Sequence, residues 1–340
     1  MSDTPPYPLL DVRGLRVWFV KDRTLAGKPR RWIKAVDDVS FHLNRGETLA
    51  IVGESGSGKT TAGLAILRAI DPREGEVWFS PDGRQRFNLA AMTRPQIRPL
   101  RRHFQMIFQD PFSSLNPRMT VQQIISEPLF VNDIGTPEEQ KERVRQLLDE
   151  VGLKIEFMNR YPHAFSGGQR QRIVIARALA LNPAMIVCDE PVSALDVSVQ
   201  AQILNLMMDL KERHGLSYVF VAHNLHVVRH IADRVAVMYA GRLVEEGTRD
   251  AVFGRPLHPY TKSLLASAPK PDPLSKRERV TLRGEVPDPS NLPAGCVFHP
   301  RCPEAMECCS RVAPAESAGN GRKVRCLLYE PAYGPGRKVE

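Results

Sequence analysis

One glycine-rich stretch restricts the fold of this chain more than any other. Gly53-Glu54-Ser55-Gly56-Ser57-Gly58-Lys59-Thr60 follows the apolar run Leu49-Ala50-Ile51-Val52 and precedes the helix-like residues Thr61 to Ile70. The spacing is that of the phosphate loop G-x-x-x-x-G-K-[ST], which needs a strand before it and a helix after it. A triphosphate calls for inward-pointing backbone N–H donors, and glycine allows the tight turning that presents them. Lys59 is expected on the β- and γ-phosphates and the Thr60 hydroxyl on Mg²⁺, while the helix start adds its positive dipole end. The expected nucleotide contacts are therefore Gly53, Glu54, Ser55, Gly56, Ser57, Gly58, Lys59, Thr60 and Thr61. A loop of this kind implies an α/β fold with a buried parallel sheet.

The length of 340 residues allows two or three domains, and 42% apolar residues suffice for a core. The longest apolar candidate, Ile173 to Cys188, is interrupted by Arg177, Asn182 and Pro183, which argues against a membrane helix. The proline-rich start, Met1 to Leu10, lacks the basic and apolar regions of a signal peptide, so a cytoplasmic protein is expected. The net charge of +9 is concentrated between Arg13 and Lys34 and between Arg84 and Arg102. Such patches suit nucleic acid or an anionic membrane surface, or are simply solvated faces.

Short apolar alternation from Leu9 to Leu49 predicts strands, interrupted by a basic loop over Leu25 to Trp32. Glu74 to Asn88 reads as strand, turn and strand about Asp82-Gly83, and Met106 to Phe108 as a further strand. Helical patterns dominate from Thr120 to about Leu181. Ala184 to Cys188 is a continuous apolar run of the buried parallel kind, followed by helix over Ser198 to Arg213, strand over Tyr218 to Ala222 and a hairpin about Gly241. Beyond Phe253 frequent prolines exclude long helices, leaving an irregular extension with one short helix, Tyr260 to Ser267.

Asp189 and Glu190 end the buried run at Cys188. Asp189 is the expected partner of Thr60 on Mg²⁺, and Glu190 is placed to orient or deprotonate an attacking water. A second anion site is legible in Phe165-Ser166-Gly167-Gly168-Gln169, ahead of the helical run Ile173 to Leu181. A single nucleotide hardly needs two phosphate cradles from one subunit. Here the chain resembles the ATP-binding subunits of ABC transporters, whose signature reads Leu-Ser-Gly-Gly-Gln, with Phe165 standing in the leucine position.

That resemblance implies a P-loop NTPase (RecA-like) core with an antiparallel β subdomain and an α-helical signature subdomain. It also implies two subunits paired head to tail, so that Ser166, Gly167, Gly168 and Gln169 of one close over the phosphate loop of the other. Gln109 matches the glutamine that touches Mg²⁺ and water, Ser193-Ala194-Leu195-Asp196 the loop that crosses the dimer, and His223 the histidine on the γ-phosphate. Phe19 is the expected adenine-stacking residue with Trp18 as the alternative, only one of which faces the nucleotide.

Phe108 to Thr120 and His258-Pro259-Tyr260-Thr261 narrow the likeness to the dipeptide/oligopeptide permease ATPases, F-type subunit. The resemblance implies an ATPase domain over residues 1–253, with its helical subdomain at about 112–181, and a C-terminal extension over 254–340. It further implies a related but non-identical ATPase partner, two transmembrane permease subunits, an extracytoplasmic peptide-binding protein and a place on the cytoplasmic face of the inner membrane. Relatives that move nickel or glutathione leave the cargo open. A soluble ATPase on nucleic acid or ribosomes is the rival reading, disfavoured by the single cassette, so no nucleic acid is expected.

Of the six cysteines, five lie between Cys296 and Cys326. Four thiolates, Cys296, Cys302, Cys309 and Cys326, could hold an iron-sulfur cluster or Zn²⁺, although the spacing is not that of structural zinc sites, or could remain unliganded. The resemblance implies a [4Fe-4S] cluster.

Overall fold

Alternating sequence lies in an antiparallel sheet, and the continuous apolar runs lie in a larger mixed one. The computed structural model describes residues 7–23, 27, 29–267, 284–335 and 337–339. In chain order the strands are β1 (Leu10–Arg23), β2 (Pro29–Leu43), β3 (Thr48–Val52), β4 (Glu74–Phe79), β5 (Phe87–Asn88) and β6 (Phe104–Ile107). Then come β7 (Met185–Asp189), β8 (Ser217–Ala222), β9 (Arg234–Tyr239), β10 (Arg242–Thr248), β11 (Ser317–Gly319) and β12 (Arg322–Val324). The small sheet has the order β2-β1-β4-β5, and the large one β11-β12-β10-β9-β3-β8-β7-β6.

Every residue of β3, β7 and β8 is buried, as expected of parallel strands covered on both faces. β3 separates two cores. Leu49 and Ile51 pack with Leu15, Val17 and Ala62 toward the small sheet, whereas Ala50 and Val52 pack toward the helical side. That helical side contains Val121–Val131, Pro137–Glu150 and Gly167–Leu179, and the first two are started by capping boxes, Thr120 with Gln123 and Thr136 with Glu139.

Four expectations shift. The first helix, Lys59–Ile66, stops short of Ile70, and the signature helix begins at Gly167 rather than Ile173, because Ser166 and Gln169 form a capping box. The basic loop is shorter than expected: Pro29 to Trp32 belong to β2, where Trp32 pairs with Val20, while residues 24–26 and 28 lie outside the described residues. The C-terminal extension is not merely irregular. β12 pairs antiparallel with β10 and β11 with β12, so the extension widens the large sheet, while Phe298, Cys309 and Leu327 join the helical-side core.

Candidate active site

The parallel strands β3, β7, β8 and β6 end together, and each delivers a site residue just beyond its carboxyl end. These are the phosphate loop after Val52, Asp189 and Glu190 at the end of β7, His223 after β8, and Gln109 two residues past β6. Ligands in open α/β sheets bind at such carboxyl ends.

The loop is held by close contacts. A Cβ on Gly58 would lie 2.0 Å from the Ala35 carbonyl oxygen, and one on Gly53 would lie 2.1 Å from that of Met238, so neither position admits a side chain. The Lys59 ammonium curls back, donating to the carbonyls of Gly53 at 2.9 Å and Glu54 at 2.8 Å. Burial pushes its pKa down, against the pull of Glu190, Asp189 and Glu54. Phosphate oxygens in this loop would add countercharge to the buried ammonium.

Thr60 Oγ1 donates to Asp189 Oδ1 at 2.9 Å. Burial pushes the Asp189 carboxyl up, while the Thr60 hydrogen bond opposes the shift. A hydroxyl and a carboxylate beside a phosphate cradle are hard oxygen donors, so these residues fit Mg²⁺ bridged to a triphosphate. Glu190 lies between two polar groups: Gln109 Nε2 donates to Oε2 at 2.9 Å, and His223 Nδ1 is 2.9 Å from Oε1. Glu190 also holds φ at 48°, a left-handed conformation unusual for glutamate, with its N–H donating to Val221 O at 2.9 Å.

Phe19, Ser55, Gly56, Gly58, Lys59, Thr60, Thr61, Gln109, Glu190 and His223 line one cleft of about 660 Å³. Phe19 is half exposed there, whereas Trp18 lies 6.4 Å from Trp32 with Arg73 over both rings. Ser166, Gly167, Gly168, Gln169 and Asp196 do not line this cleft. Ser166 and Gln169 cap their helix, a Cβ on Gly168 would lie 2.5 Å from Val199 Cγ1, and Asp196 is exposed ahead of the helix Val197–His214.

Two side chains from the extension reach the phosphate loop, Tyr260 from the His258 to Thr261 motif, whose role the sequence did not show, and Arg301 without any sequence signal. Tyr260 Oη accepts from the Glu54 N–H at 2.9 Å, and Arg301 forks onto Glu54 at 2.8 and 3.2 Å. Burial alone would lower the Arg301 pKa; hydrogen bonds to Glu54 and Tyr239 outweigh it and hold the guanidinium above its ordinary value.

Profile and similarity comparisons agree with this geometry. The "ABC transporter" family model matches residues 36–193, and the "Oligopeptide/dipeptide transporter, C-terminal region" model matches residues 244–309. The chain is 48% identical over 321 residues to the dipeptide transport ATP-binding protein DppF of Haemophilus influenzae, covering 94% of this chain and 96% of that protein. The chain belongs to the ATP-binding subunits of oligopeptide/dipeptide ABC transporters. Another member of this family, the oligopeptide transport ATP-binding protein AppF of Bacillus subtilis, is 48% identical over 325 residues, covering 94% of this chain and 97% of that protein. Among solved structures, the dimeric post-hydrolysis ATP-binding cassette MJ0796 bound to ADP and Pi matches with a TM-score of 0.61 and 29% identity, over 71% of this chain and 98% of that one. Membership in the ABC transporter family makes this chain an ATPase. Among the described residues no helix is long and apolar enough to cross a membrane.

The cysteine expectation is not met in the same way. Among the described residues no three His, Cys, Asp or Glu side chains form a metal-ligand group. Backbone bonding occupies part of the segment instead: Cys296 N–H donates to Cys309 O at 2.9 Å, and Met306 N–H to Cys309 Sγ at 3.4 Å. Burial pushes Cys302 up to about 11 and Cys326 up to about 12, with charge on the neighbouring thiols adding to both shifts.

Proposed function

We propose that the chain powers peptide uptake from the cytoplasmic face of the inner membrane, as one of two non-identical ATPase subunits beneath two transmembrane permease subunits, with an extracytoplasmic peptide-binding protein delivering the cargo. The observation that carries the shared-site part of this reading is the division of the nucleotide machinery. One cleft gathers the phosphate loop, Gln109, Glu190 and His223, while Ser166 to Gln169 and Asp196 lie away from it and are available to a partner. The related ATP-binding cassette MJ0796 is dimeric in its post-hydrolysis state, in keeping with closure across two subunits. The peptide cargo rests on the named functions of relatives such as DppF and AppF.

Within the cleft, Phe19 stacks on the base, residues Gly53 to Thr61 cradle the phosphates, and Lys59 neutralises the β- and γ-oxygens. Thr60, Asp189 and Gln109 would hold Mg²⁺, which would supply positive charge beside the phosphates. Glu190 accepts the proton of the attacking water, oriented by Gln109, and His223 contacts the γ-phosphate. Removal of that phosphate releases the contacts that favour the closed pair, so hydrolysis reopens it. The signature helix is wired to the loop after Gln109: Arg177 donates to Ser114 O at 2.6 Å, and the Arg170 guanidinium lies 3.9 Å from the Phe112 ring. Phe112 is itself 63% exposed, a surface suited to a permease.

Glu190→Gln in the reconstituted transporter is the test. ATP binding persists while hydrolysis and peptide uptake fall by about 10²-fold or more; near-normal turnover would remove Glu190 as the base.

The finer expectation for Cys296, Cys302, Cys309 and Cys326, a [4Fe-4S] cluster with Zn²⁺ as the alternative, is supported by the resemblance alone. The observed arrangement does not present the ligand group, so no step is derived through it. Iron and zinc analysis with an absorbance spectrum of the purified chain separates cluster, zinc and free thiols.

A further inference from the structure

The nucleotide cleft has one wall that the ATPase motifs do not supply. Pro289, from the C-terminal extension, lines the same cleft as Phe19 and Lys59. Its position is fixed by the strand pair that carries Phe19. Phe19 is paired with Ile33 across β1 and β2, and the next residue, Lys34, donates its backbone N–H to the Pro289 carbonyl at 3.0 Å. Ile33 and Ala35 point to one face of β2 and both line the cleft, with Ala35 against Gly58 of the phosphate loop. Pro289 is therefore tethered at Lys34, between Ile33, the partner of Phe19, and Ala35, which packs on the phosphate loop.

The segment around Pro289 is clasped on both sides. Lys21 Nζ donates to Asp288 Oδ2 at 3.1 Å and to Ser290 Oγ at 2.7 Å. Asp288 Oδ1 accepts the Ser290 N–H at 2.8 Å, and these bonds hold the Asp288 carboxyl down at about 2. A proline ring fixed in this way costs little ordering on binding and offers a rigid apolar face suited to an aromatic base that also meets Phe19.

We propose that the C-terminal extension supplies the base-side wall of the nucleotide site in cis, with Pro289 contacting the adenosine beside Phe19. This rests on the reading of the cleft as the ATP site. It makes Pro289 a binding residue and Lys21 a positioning residue that acts through Asp288 and Ser290.

The test is equilibrium binding of ATP and of inorganic tripolyphosphate to the purified full-length chain, in wild type, Pro289→Gly and Lys21→Ala. Both variants are expected to weaken ATP by about fivefold, the scale of one lost apolar contact, while tripolyphosphate, which has no base, binds as in wild type. Unchanged ATP affinity in both variants overturns the proposal, as does a parallel loss of ATP and tripolyphosphate. Failure of wild type to bind ATP at all would instead overturn the assignment of the cleft.

Discussion

Replacing Arg301 by methionine tests how far the phosphate loop depends on the extension. The Arg301 side chain is 7% exposed and Glu54 23%, and the two are joined by a fork at 2.8 and 3.2 Å. Removing one partner of a fully buried pair costs about 3–5 kcal/mol, chiefly because a charge is left uncompensated. Glu54 keeps some access to water, so part of that cost is recovered by hydration, and a loss of about 2 kcal/mol is expected, within the range of charge-assisted hydrogen bonds. The asymmetry sharpens the test. Adding Glu54→Gln to the Arg301→Met background removes the stranded charge and recovers about half of the loss, whereas Arg301→Lys keeps the charge but not the fork and is intermediate. The assay is urea unfolding of the full-length chain followed by two probes whose transitions coincide, with wild type, Arg301→Met, Glu54→Gln and the double variant forming a double-mutant cycle. A coupling energy under about 0.5 kcal/mol, or an Arg301→Met midpoint equal to wild type, would refute the reasoning.

Two further outcomes follow from the same geometry. Gly58→Ala, at φ 97° with the Ala35 carbonyl 2.0 Å from the new Cβ, is expected to abolish ATP binding while Gly46→Ala, with open space at its Cβ, leaves it intact; isothermal titration distinguishes them. His258 is buried and its pKa is pushed down to about 3 by burial. Its folded value lies below its unfolded value, so its contribution is full above about pH 6.5 and is lost as pH falls toward 3, by about 1.4 kcal/mol per unit. His258→Asn should therefore flatten the acid limb of the stability profile over that window relative to wild type, measured by denaturant midpoints at stepped pH.

Most of the nucleotide machinery was legible because its chemistry is local in sequence. Gly53 to Thr60 carries its own turn and helix start, and Asp189 announces itself at the end of a fully apolar strand. The pairing of Thr60 with Asp189 joins residues far apart in the chain, yet each sits beside a recognisable motif. Alternation gave one of Trp18 and Phe19 to the cleft, and the pairing of Phe19 with Ile33 settles which residue lines it. The extension was read poorly for a physical reason. Its prolines correctly rule out long helices, but the short strands β11 and β12 are stabilised by pairing with β10, a contact no local pattern encodes. Arg301, Tyr260 and Pro289 were missed on the same ground: each acts on the loop or the β1–β2 pair from more than 200 residues away. The ligand set for a [4Fe-4S] cluster, implied by the resemblance and not by the cysteine spacing, is not assembled among the described residues.

The pairing of β12 with β10 bears on what counts as a detachable piece of this molecule. Cutting after residue 253, where the composition changes, would strip the cover from β10 and leave its N–H and C=O groups as an open template for another chain. The same cut would deprive buried Glu245 of the Arg322 guanidinium at 2.8 Å and of the N–H groups of Leu257 and His258 that it accepts from. An engineer seeking the smallest autonomous ATPase from this chain should therefore keep the tail, because the seam visible in the sequence cuts across a continuous sheet.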